Sequence, residues 1–173
     1  MTEEQRKLSR DLIIQPDGRS RITKEDFLRR FPGSVEGGKL AVSVLEEAYR
    51  AQNAEDLQCA LIIGHAFGFG PEHIDVLRRL AEAEWHYSHE DVVEALDSLR
   101  TSDAVEALFR ATQWVPKSLE YDDSRALAVK AIWALGKIPG TAAETKLETL
   151  ARSGDAILRK TAMEQLESRN KAA

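Results

Sequence analysis

The sequence predicts an all-α protein: an α-solenoid of about four helix hairpins, with an extra helix at its N-terminal end. Three observations predict it. Four segments align without gaps, "AEDLQCALIIG" from Ala54, "EDVVEALDSLR" from Glu90, "ALAVKAIWALG" from Ala126 and "ILRKTAMEQLE" from Ile157, and their starts lie 36, 36 and 31 residues apart. Periods of this length are the signature of stacked helical repeats. Within each segment a small residue (Cys59, Ala95, Ala131, Ala162) precedes a branched apolar one (Ile63, Leu99, Leu135, Leu166) by one helical turn, so both columns share one face. A third column holds Ala60, Leu96, Ile132 and Met163. No run of alternating apolar and polar residues competes as a strand.

Each element has its own signals. The turn "QPDG" at 15–18 precedes the extra helix, which Thr23 and Asp26 cap in box spacing and Pro32 and Gly33 close. The expected organisation is an extension, 1–34, with one capping helix, then a repeat domain, 35–173, the two forming a single compact domain. A first helix precedes every aligned segment: "GGKLAVSVLEEAYRA", "PEHIDVLRRLAEAEW", "SDAVEALFRATQW" and "TAAETKLETLARSG" all carry helical apolar spacing. Pro71 suits a first helical position, and Gly64, Gly136 and Gly154 suit helix ends. Asn53 with Asp56, and Ser88 with Asp91, have capping-box spacing. Asp122 and Asp123 stand where the third repeat's second helix begins, at the positive end of its dipole. Repeat two departs from the pattern, with Arg100 where repeats one and three have glycine, and the link "WVPKSLEYDDSR", 114–125, is long.

Composition narrows the function. The 173 residues suffice for a real core, and 43% hydrophobic with 31% charged residues is the balance of a globular protein. Apolar runs such as "CALIIG" are too short to cross a bilayer, and the charged start "MTEEQRKLSR" does not read as a secretory signal. The one cysteine, Cys59, can form no internal disulfide or cysteine-rich metal site. A cytoplasmic location is expected. A net charge of −5 disfavours nucleic acid as ligand and is compatible with a basic protein partner.

The repeats resemble the armadillo-like HEAT family, including the variety named after phycobilin lyases; "ALAVKAIWALG" with its preceding aspartates and "GDAILRKTAMEQLE" carry the resemblance, over about residues 35–168. It implies an α-solenoid whose second helices line a concave side. Periodicity then leaves outward Glu55, Gln58 and Ile62 in repeat one, Asp91, Glu94 and Ser98 in repeat two, and Lys130 and Trp133 in repeat three: an acidic middle beside a tryptophan.

The chemically densest stretch is "EWHYSHED", 84–91. Capping accounts for Ser88, Asp91 and, one repeat later, Asp123. It does not need Trp85, His86, His89, Trp114 or Tyr121, which fall in hairpin loops that a solenoid stacks along one edge. The expected partner-binding residues are therefore Trp85, His86, His89, Glu90, Asp91, Glu94, Trp114, Tyr121, Asp122, Lys130 and Trp133. The competing reading of the tryptophans is as plugs between repeats. Catalytic readings are weaker. His86 and His89 with Asp122 could be offered to a metal, but there is no HExxH, and resemblance to deoxyhypusine hydroxylase would require several His–Glu pairs where only His89–Glu90 occurs. HEAT-like DNA glycosylases would require a positive groove. No metal or cofactor is expected. The leading expectation is a non-catalytic, monomeric or weakly associating protein binder. It is similar in size, charge and repeat type to small bacterial immunity proteins, which inhibit a toxin by covering its active surface. An adaptor subunit of a larger complex is the alternative.

Overall fold

The computed structural model describes residues 1–33 and 36–172. Among them the protein is all-helical, with ten α-helices and no strand: α1 Glu3–Arg10, α2 Lys24–Arg30, α3 Gly37–Ala51, α4 Ala54–Phe67, α5 Ile74–Ala81, α6 His89–Leu99, α7 Val105–Ala111, α8 Ala126–Lys137, α9 Thr141–Leu150 and α10 Ala156–Ala172. Short 3-10 turns, Pro71–His73 and Ser102–Ala104, lead into α5 and α7, so Pro71 does open a helical segment. No helix among the described residues is long and apolar enough to cross a membrane. The chain divides into two compact units, Met1–Val76 and Leu77–Ala173.

The first unit is built on the α3–α4 hairpin. Gln52 turns the chain in the left-handed region, and the Asn53 side chain accepts from the Asp56 amide at 2.9 Å to start α4. The expected reciprocal half of that box is replaced by a tertiary contact: the Asp56 carboxylate accepts from Arg6 Nε of α1 at 2.7 Å. Ala41, Val44, Leu45 and Ala48 of α3 are buried with Leu57, Ala60, Leu61 and Ile63 of α4. Thr23 caps α2 as its sequence implies, accepting from the Asp26 amide. Phe27 then packs its ring 5.3 Å from Phe31 and 5.7 Å from Phe67. The extension holds two helices, not one. Thr2 and Gln5 form a complete capping box for α1, the S/T-x-x-E/Q spacing that marks a helix start. Gly64 is inside α4, which runs on to Phe67. It serves close packing rather than a helix end, since a Cβ there would meet the Phe69 ring at 2.3 Å.

In the second unit α6 packs on α8 and α8 on α10, while α7 and α9 pack against α8 and each other. The small column lies at these contacts: Ala95, Ala131 and Ala162 are fully buried. A methyl-sized side chain lets helix axes approach, and Leu96, Ile132 and Leu135 fill the space around it. The columns hold less well at their ends. Leu99 and Leu166 are half-buried and Met163 is 50% exposed. Arg100, in place of the repeat's glycine, takes the left-handed conformation that ends α6. Gly136 lies within α8, one residue before its end.

Candidate functional site

The stretch 84–91 joins α5 to α6, and its histidines face inward. His86 is 5% and His89 1% exposed. His86 Nδ1 accepts from the Ser88 amide at 3.2 Å, so Nε2 carries the proton and donates to the Leu80 carbonyl at 2.9 Å. His89 Nε2 donates to the Ala83 carbonyl at 2.8 Å. The Leu80 carbonyl, in the last turn of α5, takes the His86 N–H as a second donor beside the Ala83 amide at 3.1 Å, and the Ala83 carbonyl, just past the helix, takes that of His89. They stack on each other at 4.2 Å, with the Trp85 ring edge-on to His86 and the Trp114 ring edge-on to His89. Burial disfavours the imidazolium: it lowers the His86 pKa to about 4 against the carbonyl bond to Leu80, and His89 is lowered for the same reason.

These placements correct the sequence reading of the stretch. His86 and His89 are a brace in the interior rather than surface contacts, because their N–H groups bond the Leu80 and Ala83 carbonyls at and just past the end of α5. Ser88 makes no side-chain cap. Its amide is held by His86, and its backbone sits at φ −94°, ψ 33° rather than in the extended form a capping residue needs. The Ser88–Asp91 box is therefore absent. His86 has both ring nitrogens engaged. Among the described residues no group of three or more His, Cys, Asp or Glu side chains is placed to hold a metal ion.

The connection from α7 to α8 meets this brace only in part. Trp114 touches His89, as stacking of the two loops requires, and both Trp85 and Trp114 are half-buried. Tyr121 is 96% exposed. Asp122, and not Asp123, starts α8: its carboxylate accepts from the Ala126 amide at 2.6 Å and the Ser124 amide at 3.1 Å. The bonds from Ser124 and Ala126 hold it below the usual carboxylate range. Arg125, which the sequence reading passed over, sits in the left-handed region, donates to the Thr112 carbonyl at 3.1 Å and pairs with Asp155 at 3.0 Å. Only its place at the end of a long link could have drawn notice to it.

The exposed chemistry lies on the ridge made by α6 and α8. Lys130 pairs with Glu90 at 2.8 Å, and Lys137 pairs with Asp97 one heptad further along both helices. The Glu90 hydrogen bond raises the Lys130 ammonium above its ordinary pKa, and Glu94 and Asp91 add to it through space. Asp91 and Glu94 are exposed, and Trp133, between the two lysines, is 49% exposed. The acidic middle expected from periodicity is present but partly neutralised by Lys130. Asp97 and Lys137 belong to it as well; as an i+7 pair of columns they were legible in the alignment, but their pairing was not. Comparison of the chain with protein-family models, with curated proteins and with solved structures returned no match.

Proposed function

We propose that the chain is a non-catalytic α-solenoid of HEAT-like repeats that binds another protein and acts by covering part of its surface. The observation that carries this reading is Trp133, a large aromatic left half-exposed in the middle of an ordered ridge whose two flanking ion pairs fix the helices that present it. Aromatic residues in rigid settings are the usual anchors of protein interfaces. The packing of α6 on α8 and of α8 on α10 supports the solenoid architecture. The net charge of −5 favours a basic partner, and inhibition of a toxin by occlusion is the form of the function that fits a small acidic binder.

Capture of partners from the native cell with wild-type and Trp133→Ala chains, followed by hydrogen exchange on the reconstituted complex, tests this. A protein retained by the wild type, released about thirtyfold more readily by the variant, and protecting α6 and α8 is the expected result. A partner protecting only first helices, such as the segments around Lys39 or Arg78, contradicts it.

A further inference from the structure

We propose that Trp133 and Glu94 together receive one cationic side chain, a lysine or an arginine, presented by a basic protein partner. This rests on the partner-binding reading above and adds the chemistry of the contact.

The geometry is that of a ladder with a gap. The pairs Glu90–Lys130 and Asp97–Lys137 have the same sequence offset, so α6 and α8 run alongside in parallel and in fixed register. Glu94 lies one turn after Glu90, and Trp133 nearly one turn after Lys130. Both therefore fall between the two rungs, on the outward side that their exposure shows. Among the described residues no ring or cation is placed against the Trp133 indole, whereas Lys24 lies over Phe67 and Lys146 over Phe109.

Charge decides what fits there. Lys130 stands in the field of three carboxylates, Glu90, Asp91 and Glu94, and bonds the first. Lys137 is taken by Asp97. The ridge thus keeps a negative excess beside a half-exposed indole. A guanidinium or ammonium gains from both at once, by cation–π attraction to the indole and by pairing with the carboxylate. An anionic side chain gains from neither. The rungs also hold the two helices in place, so little ordering is needed on binding.

The test uses three peptides of equal length, arginine-rich, lysine-rich and glutamate-rich, titrated into the full chain and followed by 15N NMR at low and high salt. The arginine-rich and lysine-rich peptides should shift the Trp133 indole N–H and the amides of α6 and α8, and the glutamate-rich one should not. Trp133→Ala should weaken binding about tenfold. Glu94→Gln should weaken it about threefold to fivefold at low salt and less at high salt. Glu148→Gln, an exposed carboxylate on α9, should leave it unchanged. Equal weakening by Glu148→Gln and Glu94→Gln, shifts spread evenly over the surface, or binding of the glutamate-rich peptide overturns the proposal. So does sedimentation showing that a second copy of the chain occupies the ridge, with dimers lost in Trp133→Ala. A native partner that covers α6 and α8 yet is indifferent to Glu94→Gln overturns this assignment and leaves the proposed function standing. Specific peptide binding without any native protein partner does the reverse.

Discussion

The stretch 84–91 and the α6–α8 ridge are neighbours in sequence and opposites in use of their chemistry. The first holds two imidazoles, an indole and several carboxylates in a few positions; its imidazoles turn inward, while Glu90 and Asp91 pass onto the ridge. His86 and His89 close the end of α5 and stack between Trp85 and Trp114. The ridge holds ordinary charged residues and one tryptophan, and leaves Trp133 half-exposed. The difference teaches that density of functional-group chemistry does not predict exposure. A polar ring near a helix end can be drawn to backbone carbonyls and buried there.

Acid should separate the two regions most strongly. Both imidazoles bind protons less readily in the folded chain than in the unfolded one, so stability rises with pH across their titration. The His86 contribution is fully present above the ordinary imidazole range near 6.5, falls as pH drops, and is gone below about 4. A lowering of that size corresponds to about 3 kcal/mol, and His89 adds to it in the same direction. Urea melts between neutral and acid pH should show the loss in the wild type and a smaller one in His86→Gln. An identical pH slope in the two proteins would place His86 outside the brace.

Packing gives the next contrast. Ala131→Leu should overpack the contact of α8 with its neighbours, Ala131 being fully buried, and cost about 1–3 kcal/mol. Lys130→Leu, the adjacent residue on the ridge, loses the pair with Glu90 and should cost no more than about 1 kcal/mol. Equal costs in denaturant melts would break the assignment of buried and outward columns.

The smallest effect sharpens the ridge itself. A double-mutant cycle on Glu90 and Lys130, with Glu90→Gln and Lys130→Met, should return a coupling of about 0.2–1 kcal/mol that shrinks with added salt. A coupling that does not respond to salt would show the pair to be more deeply buried than its half-exposed side chains indicate.

The helices were legible because their signals are local and repeated. The column of Cys59, Ala95, Ala131 and Ala162 is buried throughout, as one helical period demands. Two kinds of feature were not legible. Cap identity depends on backbone angles that spacing does not encode: Ser88 has the right neighbour in Asp91 but the wrong ψ, and Asp122 and Asp123 are alike in sequence yet only Asp122 bonds the α8 amide. Side-chain direction in a loop depends on where the preceding helix stops. With α5 ending at Ala81, the Leu80 and Ala83 carbonyls fall within reach of His86 and His89. By contrast α1 was missed by the sequence reading although Thr2 and Gln5 carry its capping box in plain spacing.

The division between brace and ridge is tested most directly by melting His86→Ala and Trp133→Ala side by side at neutral pH. Removing His86 takes away the partner of the Ser88 amide, leaves the Leu80 carbonyl with the Ala83 amide alone and opens a cavity beside His89, so a loss of about 2–4 kcal/mol is expected. Trp133→Ala, at a half-exposed site, should lose about 1 kcal/mol, clearly less than His86→Ala. A destabilised Trp133→Ala beside a parent-like His86→Ala would reverse the roles assigned to the two regions and contradict the central claim.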